Sequence, residues 1–316
     1  MAAYQLHYLP QTEIRHTQGI RHMFFTYHEP LFRPPSEAGS LIFQITIGCS
    51  QNRCKFCGMY KMKQFRVRSL DEIFAEIRSI PPRYRPGVRR VFLADGDALV
   101  YPQQGLERIL DELNQVFPAL TRVGAYASPN SLNLKSGDDL ASLRGKKLRI
   151  LYYGLESGDA ETLRLIDKGF EPEQMLEQCR KAKAAGMKLS ITAILGLAGR
   201  KRSAEHAAAT AEWITALSPE YFSLLTMFQR HNDDFLKLIE PLSHGEILLE
   251  TRALLERLAP QGTILRSNHV SNFLCLAGSY PKDRQRLIDT VDAALLKAKR
   301  DPRWYAEIPS YQEEYY

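Results

Sequence analysis

The sequence predicts an α/β fold in which a parallel sheet curls into a barrel or an open half-barrel. Short apolar runs rich in β-forming residues alternate with longer amphipathic segments, and six such runs fall between Leu41 and Thr226. This alternation is typical of parallel strands joined by helices, and right-handed crossovers curl such a sheet. The 316 residues, 44% of them hydrophobic, suffice for one large core with an extension.

Each predicted element follows from its own local pattern. The apolar runs predict strands over 41–46, 90–94, 122–127, 148–153, 188–195 and 221–226. Amphipathic periodicity predicts helices over 69–80, 105–117, 159–167, 172–185 and 203–217. The first of these begins with a capping box, in which Ser69 is followed three residues later by Glu72. Two more helical stretches are expected between 244 and 300, around a polar segment.

The segments that follow the predicted strands are polar and rich in glycine. Ligands of parallel α/β sheets bind at the carboxyl ends of the strands. In strand order, the segments at these ends are GCSQNRCKFC, DGDAL, SPNS, GLESG, GLAG and MFQRHND. We therefore expect the chemistry of this protein to converge on one mouth of the barrel.

Three cysteines lie within nine residues directly after the first predicted strand. Cys49, Cys54 and Cys57 have the spacing C-x4-C-x2-C, with no fourth ligand nearby. Thiolate-only ligands favour an iron–sulfur cluster with one iron left open to a small molecule. Two alternatives stay open. One is a structural zinc site, which needs a distant fourth ligand such as His28; the other is three unrelated buried cysteines.

Composition limits the location and the partners. The five cysteines are an odd number, which argues against a disulfide framework. No apolar run approaches the roughly 20 residues of a membrane span, and the first residues lack an apolar signal core, so a cytoplasmic protein without membrane contact is expected. The net charge of +6 and the pI near 9.0 leave an anionic substrate or an RNA partner open. Nucleic acid is not favoured, because charges of both signs are mixed along most of the chain.

From the cysteines onward the chain resembles the radical S-adenosylmethionine (SAM) superfamily, over residues 41 to about 226. That family places C-x3-C-x2-C after the first strand of a partial TIM barrel, with an aromatic residue before the last cysteine, here Phe56. The first gap is one residue longer in this chain. The resemblance implies a (β/α)6 core over 41–228, an N-terminal extension over 1–40, and a helical C-terminal extension over 229–316 that closes the barrel mouth.

The resemblance also implies the cofactors and the residues that hold them. The three cysteines would bind a 4Fe-4S cluster, and SAM would chelate the open iron. Asp95-Gly96-Asp97 resembles the family's Gly-Gly-Glu segment, and GLESG resembles that of the coproporphyrinogen-dehydrogenase-like and methylthiotransferase-like branches. Glu156 would accept from the ribose hydroxyls, and Arg66 or Arg68 would neutralise the SAM carboxylate. The expected cofactor-binding set is Phe56, Met59, Arg66, Asp95, Gly96, Asp97, Ser128, Glu156 and Ser190.

A polar segment beyond the barrel resembles the RSNHxSN segment of a poorly characterised branch of the same superfamily. It supplies four expected substrate-binding residues: Arg266, Asn268, His269 and Asn272. The alternative is a polar loop whose side chains only cap neighbouring backbone groups. Cys275 is expected to pack in an apolar strand, and His231 and Asn232 are weaker site candidates.

The function implied is that of a radical SAM enzyme acting on a small or medium-sized metabolite, with an electron donor such as flavodoxin or ferredoxin. The reaction class stays open. Two other functions are kept as alternatives, an RNA-modifying radical SAM enzyme and a non-catalytic haem-handling protein on the same fold.

Overall fold

The fold is built on one eight-stranded sheet. A computed structural model describes residues 27–228 and 232–309. Within them the sheet order is β1, β4, β5, β6, β7, β8, β9, β10; all neighbours are parallel except the last pair, which is antiparallel. These strands are β1 (Leu41–Gln44), β4 (Arg90–Ala94), β5 (Arg122–Ala127), β6 (Leu148–Glu156), β7 (Lys188–Leu195), β8 (Tyr221–Thr226), β9 (Ile264–Arg266) and β10 (Ala277–Ser279). A separate two-stranded ribbon pairs β2 (Thr46–Ile47) with β3 (Arg66–Val67).

Helices cover the outer face of the sheet and the far end of the chain. Those that connect the parallel strands are α1 (Leu70–Ser79), α2 (Gln103–Val116), α3 (Pro129–Asn133), α4 (Gly137–Gly145), α5 (Ala160–Leu165), α6 (Pro172–Ala184) and α7 (Gly199–Leu217). Those beyond β8 are α8 (Asp233–Leu236), α9 (His244–Arg257), α10 (Arg284–Ala298) and α11 (Pro302–Ala306). None of the helices in the described part of the chain has the length and apolar character that a membrane crossing requires.

The predicted α/β fold with a parallel, barrel-like sheet is confirmed. Two details differ. The first strand stops at Gln44, because Thr46 and Ile47 leave the sheet to pair with the ribbon partner that follows the cysteines. The sheet also gains β9 and β10 from the region beyond residue 228, where only helices around a polar segment were expected. The short helices α3 and α4 were not predicted, since they are mostly polar and carry little apolar periodicity.

The two faces of the sheet are buried in different ways. Alternate residues of each strand pack under the helices in one large core, in which Phe43, Leu93 and Leu151 are fully buried. The opposite, inner face carries a smaller aromatic cluster around Phe92 and Tyr152. The segment before β1 packs against this inner cluster, so it lines the lumen of the barrel. An apolar inner face is what closed α/β sheets use to fill their interior.

A buried carboxylate anchors that N-terminal segment at the base of the lumen. Glu37 is fully buried and accepts hydrogen bonds from the Arg122 guanidinium (2.7 Å) and the Tyr152 hydroxyl (2.5 Å). Ser40 donates a third hydrogen bond to it. A buried charge needs such partners, because removing one leaves an uncompensated ion. The segment is therefore fixed to β5 and β6.

The turn after β6 is packed directly onto the backbone of α7. Gly158 donates its N–H to the Thr210 hydroxyl (2.9 Å), and a Cβ at this glycine would come within 2.3 Å of the Ala209 carbonyl oxygen. Backbone cannot yield as a flexible side chain does, so any side chain here must push α7 away from the sheet.

We expect Gly158→Ala to lower the free energy of unfolding by about 1–3 kcal/mol, the usual cost of overpacking. Gly137→Ala is the matched control, because a Cβ there meets no atom within 4 Å and alanine favours the helix. Thermal unfolding followed by circular dichroism measures both. Equal melting temperatures for the two variants would contradict the close approach of turn and helix.

Candidate functional site

The cysteine loop is held to the sheet by one buried carboxylate. Asp95, the first residue after β4, accepts hydrogen bonds at Oδ2 from the Gly48 N–H (2.9 Å) and the Lys63 ammonium (2.8 Å). Gly48 directly precedes Cys49 and has a φ of 77°, a conformation that favours glycine. Asp95 thus fixes both the start of the loop and its far side. Its other oxygen, Oδ1, is buried and has no hydrogen-bond partner among the described residues.

Gly96 lies where the cysteine loop meets the end of β4. A Cβ at this position would approach both the Cys49 Cβ and the Tyr60 ring to 2.7 Å. The Cys49 Sγ is 3.8 Å from the Gly96 carbonyl oxygen. Glycine is therefore what allows the Asp-Gly-Asp backbone to touch the first cysteine.

Asp97 ties the cysteine loop to the turn after β5. Its carboxylate accepts hydrogen bonds from the Ser50 hydroxyl, the Ser128 hydroxyl (2.6 Å) and the Ser128 N–H (3.2 Å). Burial raises the pKa of Asp97, and the serine hydroxyls oppose that shift. Ser128 also caps α3 by accepting the Ser131 N–H. Both predicted cofactor residues, Asp97 and Ser128, are thus engaged with the protein itself.

The three thiols of the cysteine loop are free cysteines. Cys54 is buried, and Cys49 and Cys57 are half-buried. Burial raises the pKa of Cys49 to about 12 and raises those of Cys54 and Cys57 as well. The three lie within one nine-residue loop, in which the Cys57 N–H donates to the Cys54 carbonyl oxygen (3.3 Å). Metal coordination replaces the proton of such a thiol, which makes metal binding release protons here.

The donor set suits an iron–sulfur cluster. Within residues 27–228 and 232–309, no three His, Cys, Asp or Glu side chains come close enough together to bind one common ion. The cysteines of a cluster bind separate irons, so they need not converge on one point. The three free thiols beside a cation and two aspartates therefore fit the expected group, and their role as ligands stays a prediction.

A buried lysine beside the thiols is a site residue that the sequence analysis did not identify. The Lys168 Nζ lies 3.0 Å from the Glu156 Oε1, and both side chains are largely buried. Burial lowers the pKa of Lys168, but Glu156 and the thiols outweigh it and raise the pKa above its ordinary value. The positive charge of Lys168 in turn opposes the burial that raises the pKa of Cys54. The lysine is thus a fixed cation at the cysteines.

Lys168 escaped detection because its setting in the sequence is that of an ordinary helix end. It lies between Asp167 and Gly169, whose backbones are both left-handed, with φ of 56° and 79°. The Gln51 side chain donates to the Lys168 carbonyl oxygen and ties the turn to the cysteine loop. The only available signal was the Asp-Lys-Gly turn itself, which predicts a chain reversal and does not predict burial.

Three other residues predicted to bind the cofactor lie in different surroundings. Phe56 is half-buried, and its ring lies edge-on to Phe235, with 6.5 Å between the centroids. Met59 is exposed. Ser190 is buried on the inner face of β7.

The two arginines named for the SAM carboxylate differ in their freedom. Arg66 is exposed and lies 3.7 Å from Glu72. Arg68 is buried; its guanidinium makes two hydrogen bonds with Glu76 and one with the Gln44 carbonyl oxygen. Arg68 is therefore occupied by the protein, whereas the Arg66 side chain is exposed to solvent.

The polar segment after β9 is fastened to the carboxyl end of β8. The Asn272 amide donates to the Leu224 carbonyl oxygen (2.7 Å) and accepts from the Thr226 hydroxyl (2.8 Å), while the Thr226 N–H donates to the Ser271 hydroxyl. The segment consequently lies at the mouth edge of the sheet. The Asn272 amide thus caps backbone groups of the protein, which is the behaviour expected under the alternative that this is only a polar loop.

The other predicted substrate residues lie along the same segment. Burial lowers the pKa of His269, and its Nδ1 accepts the Ser271 N–H, so the neutral ring carries its proton on Nε2. Arg266 and Asn268 are exposed. The prediction for Cys275 is wrong: it is exposed, because the chain between β9 and β10 forms a loop and not an apolar strand. Of the two weaker candidates, His231 lies outside the described residues, and the Asn232 amide donates to the Phe228 carbonyl oxygen.

A buried polar network links the turn after β6 to the C-terminal region. The Ser157 hydroxyl and His206 Nδ1 are 2.8 Å apart, and His206 Nε2 lies 3.9 Å from the Glu250 Oε1. Glu250, on α9, also accepts the Gly196 N–H (2.7 Å) and the Ser203 hydroxyl. The network joins the turns that end β6 and β7 to a helix beyond the barrel. The sequence did not predict this network, because its members come from segments that are far apart along the chain.

Asp159, next to that network, forms a bidentate ion pair. Arg202 donates from Nε (3.0 Å) and Nη2 (2.8 Å), and Asp159 also caps α5 by accepting the Thr162 N–H. Burial alone raises the pKa of Asp159, but Arg202 and Thr162 outweigh it and lower the pKa from 3.8 to about 2.

Comparison with known proteins adds a family and a set of similar folds. The sequence profile of the radical SAM superfamily matches residues 43–214, more than half of the chain. A putative methylthiotransferase of Methanocaldococcus jannaschii is 24% identical over 153 residues, which cover 45% of this chain and 32% of that protein. Coproporphyrinogen III oxidase (HemN) of Escherichia coli superimposes with a TM-score of 0.55 at 20% identity, over 69% of this chain and 52% of the oxidase. The matched regions cover about a third of the methylthiotransferase and about half of the oxidase.

We expect Asp159→Asn to lower the free energy of unfolding at pH 7 by about 1–2 kcal/mol after solvent screening. Because the folded pKa is depressed, the stabilisation is present above pH 3.8 and is lost as the pH falls towards about 2. Urea unfolding at a series of pH values measures this. Asp234→Asn is the control, because that side chain is 99% exposed. A difference between wild type and Asp159→Asn that stays constant down to about pH 2.5 would contradict the assignment.

Proposed function

The chain belongs to the radical SAM superfamily, and from this premise we propose that it is an enzyme that cleaves SAM reductively and acts on a small or medium-sized metabolite. Members of the superfamily are enzymes that carry a 4Fe-4S cluster and SAM, and both are assigned to this chain on that ground. The metabolite and the reaction are the parts that we propose. They are not transferred from the two relatives, which this chain matches over only part of their length.

The observation that carries the proposal is the group of three free thiols at the mouth edge of a parallel sheet, beside a buried cation. Cys49, Cys54 and Cys57 would hold the cluster. The chemistry that the cluster and SAM supply together when bound is the reductive cleavage of a carbon–sulfur bond, which yields a carbon-centred radical. The protein's own residues supply binding, orientation and the exclusion of water.

Two charged groups with spare capacity are placed to orient an amino acid moiety such as that of SAM. The Asp95 Oδ1 is buried without a partner and is an acceptor for an ammonium group. Lys168 is a buried cation with further N–H donors beyond its contact with Glu156, and it is suited to a carboxylate. For the carboxylate, Lys168 replaces Arg66 as our preferred partner, because Arg66 is exposed and Lys168 lies at the cysteines.

We place the metabolite under the segment between β9 and β10. We accordingly divide the chain into three regions: an N-terminal extension over 1–40, a core over 41–228, and a C-terminal extension over 229–316 that closes the mouth. The attachment of Ser271 and Asn272 to the end of β8 supports that division. His269, held neutral by burial, is suited to exchange a proton with the metabolite at Nε2. The exposed Arg266 and Asn268 are proposed as its polar contacts.

We expect Cys54→Ala to abolish both cluster assembly and SAM cleavage, because a buried ligand of the cluster is removed. Cys275→Ala is the matched control, since that cysteine is exposed and far along the chain. The measurements are iron and sulfide content after anaerobic reconstitution, and products of SAM cleavage with dithionite. A Cys54→Ala protein with full iron content and full SAM cleavage would rule out the proposed function.

We expect Lys168→Met to weaken SAM binding about tenfold to a hundredfold, because a charged hydrogen bond of about 1.5–3 kcal/mol is lost. Lys168→Arg keeps the cation and should restore most of the affinity. Lys181→Met is the control, as this lysine donates to the Leu132 carbonyl oxygen away from the thiols. Isothermal titration of each reconstituted protein with SAM gives the affinities, and the iron content of each is checked first. Unchanged affinity in Lys168→Met with full iron content would show that the carboxylate binds elsewhere.

A further inference from the structure

The cysteine loop presents a surface of unusual composition. Between Ser50 and Leu70 the chain has six Lys and Arg residues and no Asp or Glu. Two of the six, Lys63 and Arg68, are buried in the contacts described above, and the other four are exposed. A stretch of one sign of charge at the protein surface attracts partners of the opposite sign.

Large apolar side chains are exposed on the same stretch. Of the eleven that the structure describes as exposed, four lie within the nine residues from Met59 to Val67, so the apolar exposure is concentrated here. Met62 is 65% exposed and Phe65 is 36% exposed. Methionine, arginine and aromatic residues are enriched at protein interfaces, and contiguous exposed apolar groups mark sites of interaction. We call this surface the loop face; it consists of Arg53, Lys55, Met59, Lys61, Met62 and Phe65.

The cations of the loop face lie on the segment that carries the thiols. Arg53 is hydrogen-bonded to Asp167 and lowers the pKa of its carboxyl group most, and the charges of Lys55 and Lys61 add to the same shift. The exposed Lys61 also donates to the Asn52 carbonyl oxygen (3.3 Å). Arg53 and Lys55 flank Cys54 in the sequence, and Lys61 follows Cys57 by four residues. The loop face is therefore the surface next to the cluster ligands.

We propose that the loop face is the docking surface for a small acidic protein that carries one electron. The inference rests on the proposed function, since that function requires an electron to reach the three cysteines from outside. In the step, the carrier is oxidised by one electron and the cluster is reduced by one, and no bond or proton changes place. Exposed cations that alternate along the loop with exposed methionines are complementary to an acidic carrier, and the protein's net charge of +6 adds to the attraction.

The composition of the loop face favours an acidic protein over RNA. Exposed thioether side chains such as those of Met59 and Met62 pack against protein surfaces, whereas RNA is bound by stacking and by dense phosphate contacts. Only one aromatic ring, Phe65, is exposed on the loop face. Encounters with electron carriers are also small and transient, so a patch of this size suffices for them.

The test measures binding separately from catalysis. The probe is oxidised flavodoxin, an acidic electron carrier, titrated onto the protein with and without its cluster by biolayer interferometry at increasing salt. We expect Lys61→Glu to weaken binding at low salt about tenfold, and Lys61→Glu/Met62→Ser to weaken it further. The matched control is Lys299→Glu, because Lys299 is exposed beyond α10 and distant in sequence from the loop face. Carbodiimide cross-linking should join flavodoxin carboxylates to Lys55 or Lys61.

A kinetic arm separates this inference from the proposed function. Reduced flavodoxin should reduce the cluster more slowly in Lys61→Glu, whereas dithionite, which needs no docking, should support equal SAM cleavage in every variant. Failure of dithionite to drive SAM cleavage in the wild type would overturn the proposed function. Cleavage with dithionite, together with unaltered flavodoxin binding in Lys61→Glu/Met62→Ser, would overturn the docking surface alone. The docking surface would also be overturned if Lys61→Glu/Met62→Ser lost binding to RNA, or lost self-association, while its binding to flavodoxin stayed unchanged.

Discussion

The Asp95 carboxylate is the contact on which the arrangement of the site depends. One of its oxygens receives the Gly48 N–H, the Lys63 ammonium and the Gln44 amide, so it joins β1, the start of the cysteine loop and its far side. Gln44 and Lys63 also donate to the His28 carbonyl oxygen, which brings the lumen segment into the same cluster. A buried carboxylate is stable only while its donors remain in place. The position of the cysteine loop therefore depends directly on the position of the sheet.

The other turns at the mouth are held by separate polar contacts of the same kind. Asp97 connects the cysteine loop to the end of β5, and the Gln51 side chain connects it to the carbonyl oxygen of Lys168. Glu250 connects the end of β7 to α9. Each contact fixes one loop on the rigid end of a strand, which is how a site built from loops reaches the accuracy that chemistry needs. The apolar core beneath stabilises the fold, and these few polar side chains fix the positions of the loops.

Local patterns predicted most of the fold but only part of the site. Four of the six predicted strands have the bounds that the structure gives them, because buried parallel strands are short apolar runs with sharp edges. The departure of Thr46 and Ile47 into a ribbon depends on a partner 20 residues away, which no local pattern contains. Lys168 and Arg68 resemble surface cations in the sequence, yet both are buried by contacts with Glu156 and Glu76, respectively. Whether a charged side chain is buried depends on partners far away in the sequence, so hydrophobic periodicity does not predict it.

The lumen segment bears on the order in which the chain assembles. Glu37 finds its partners in Arg122, 85 residues later, and in Tyr152, 115 residues later. During synthesis this carboxylate leaves the ribosome long before either partner exists. Contacts of such long sequence separation slow folding, so we expect the segment to join the sheet only after β6 has been made. Its insertion would then fasten the chain before β1 to β5 and β6 at once, through one carboxylate.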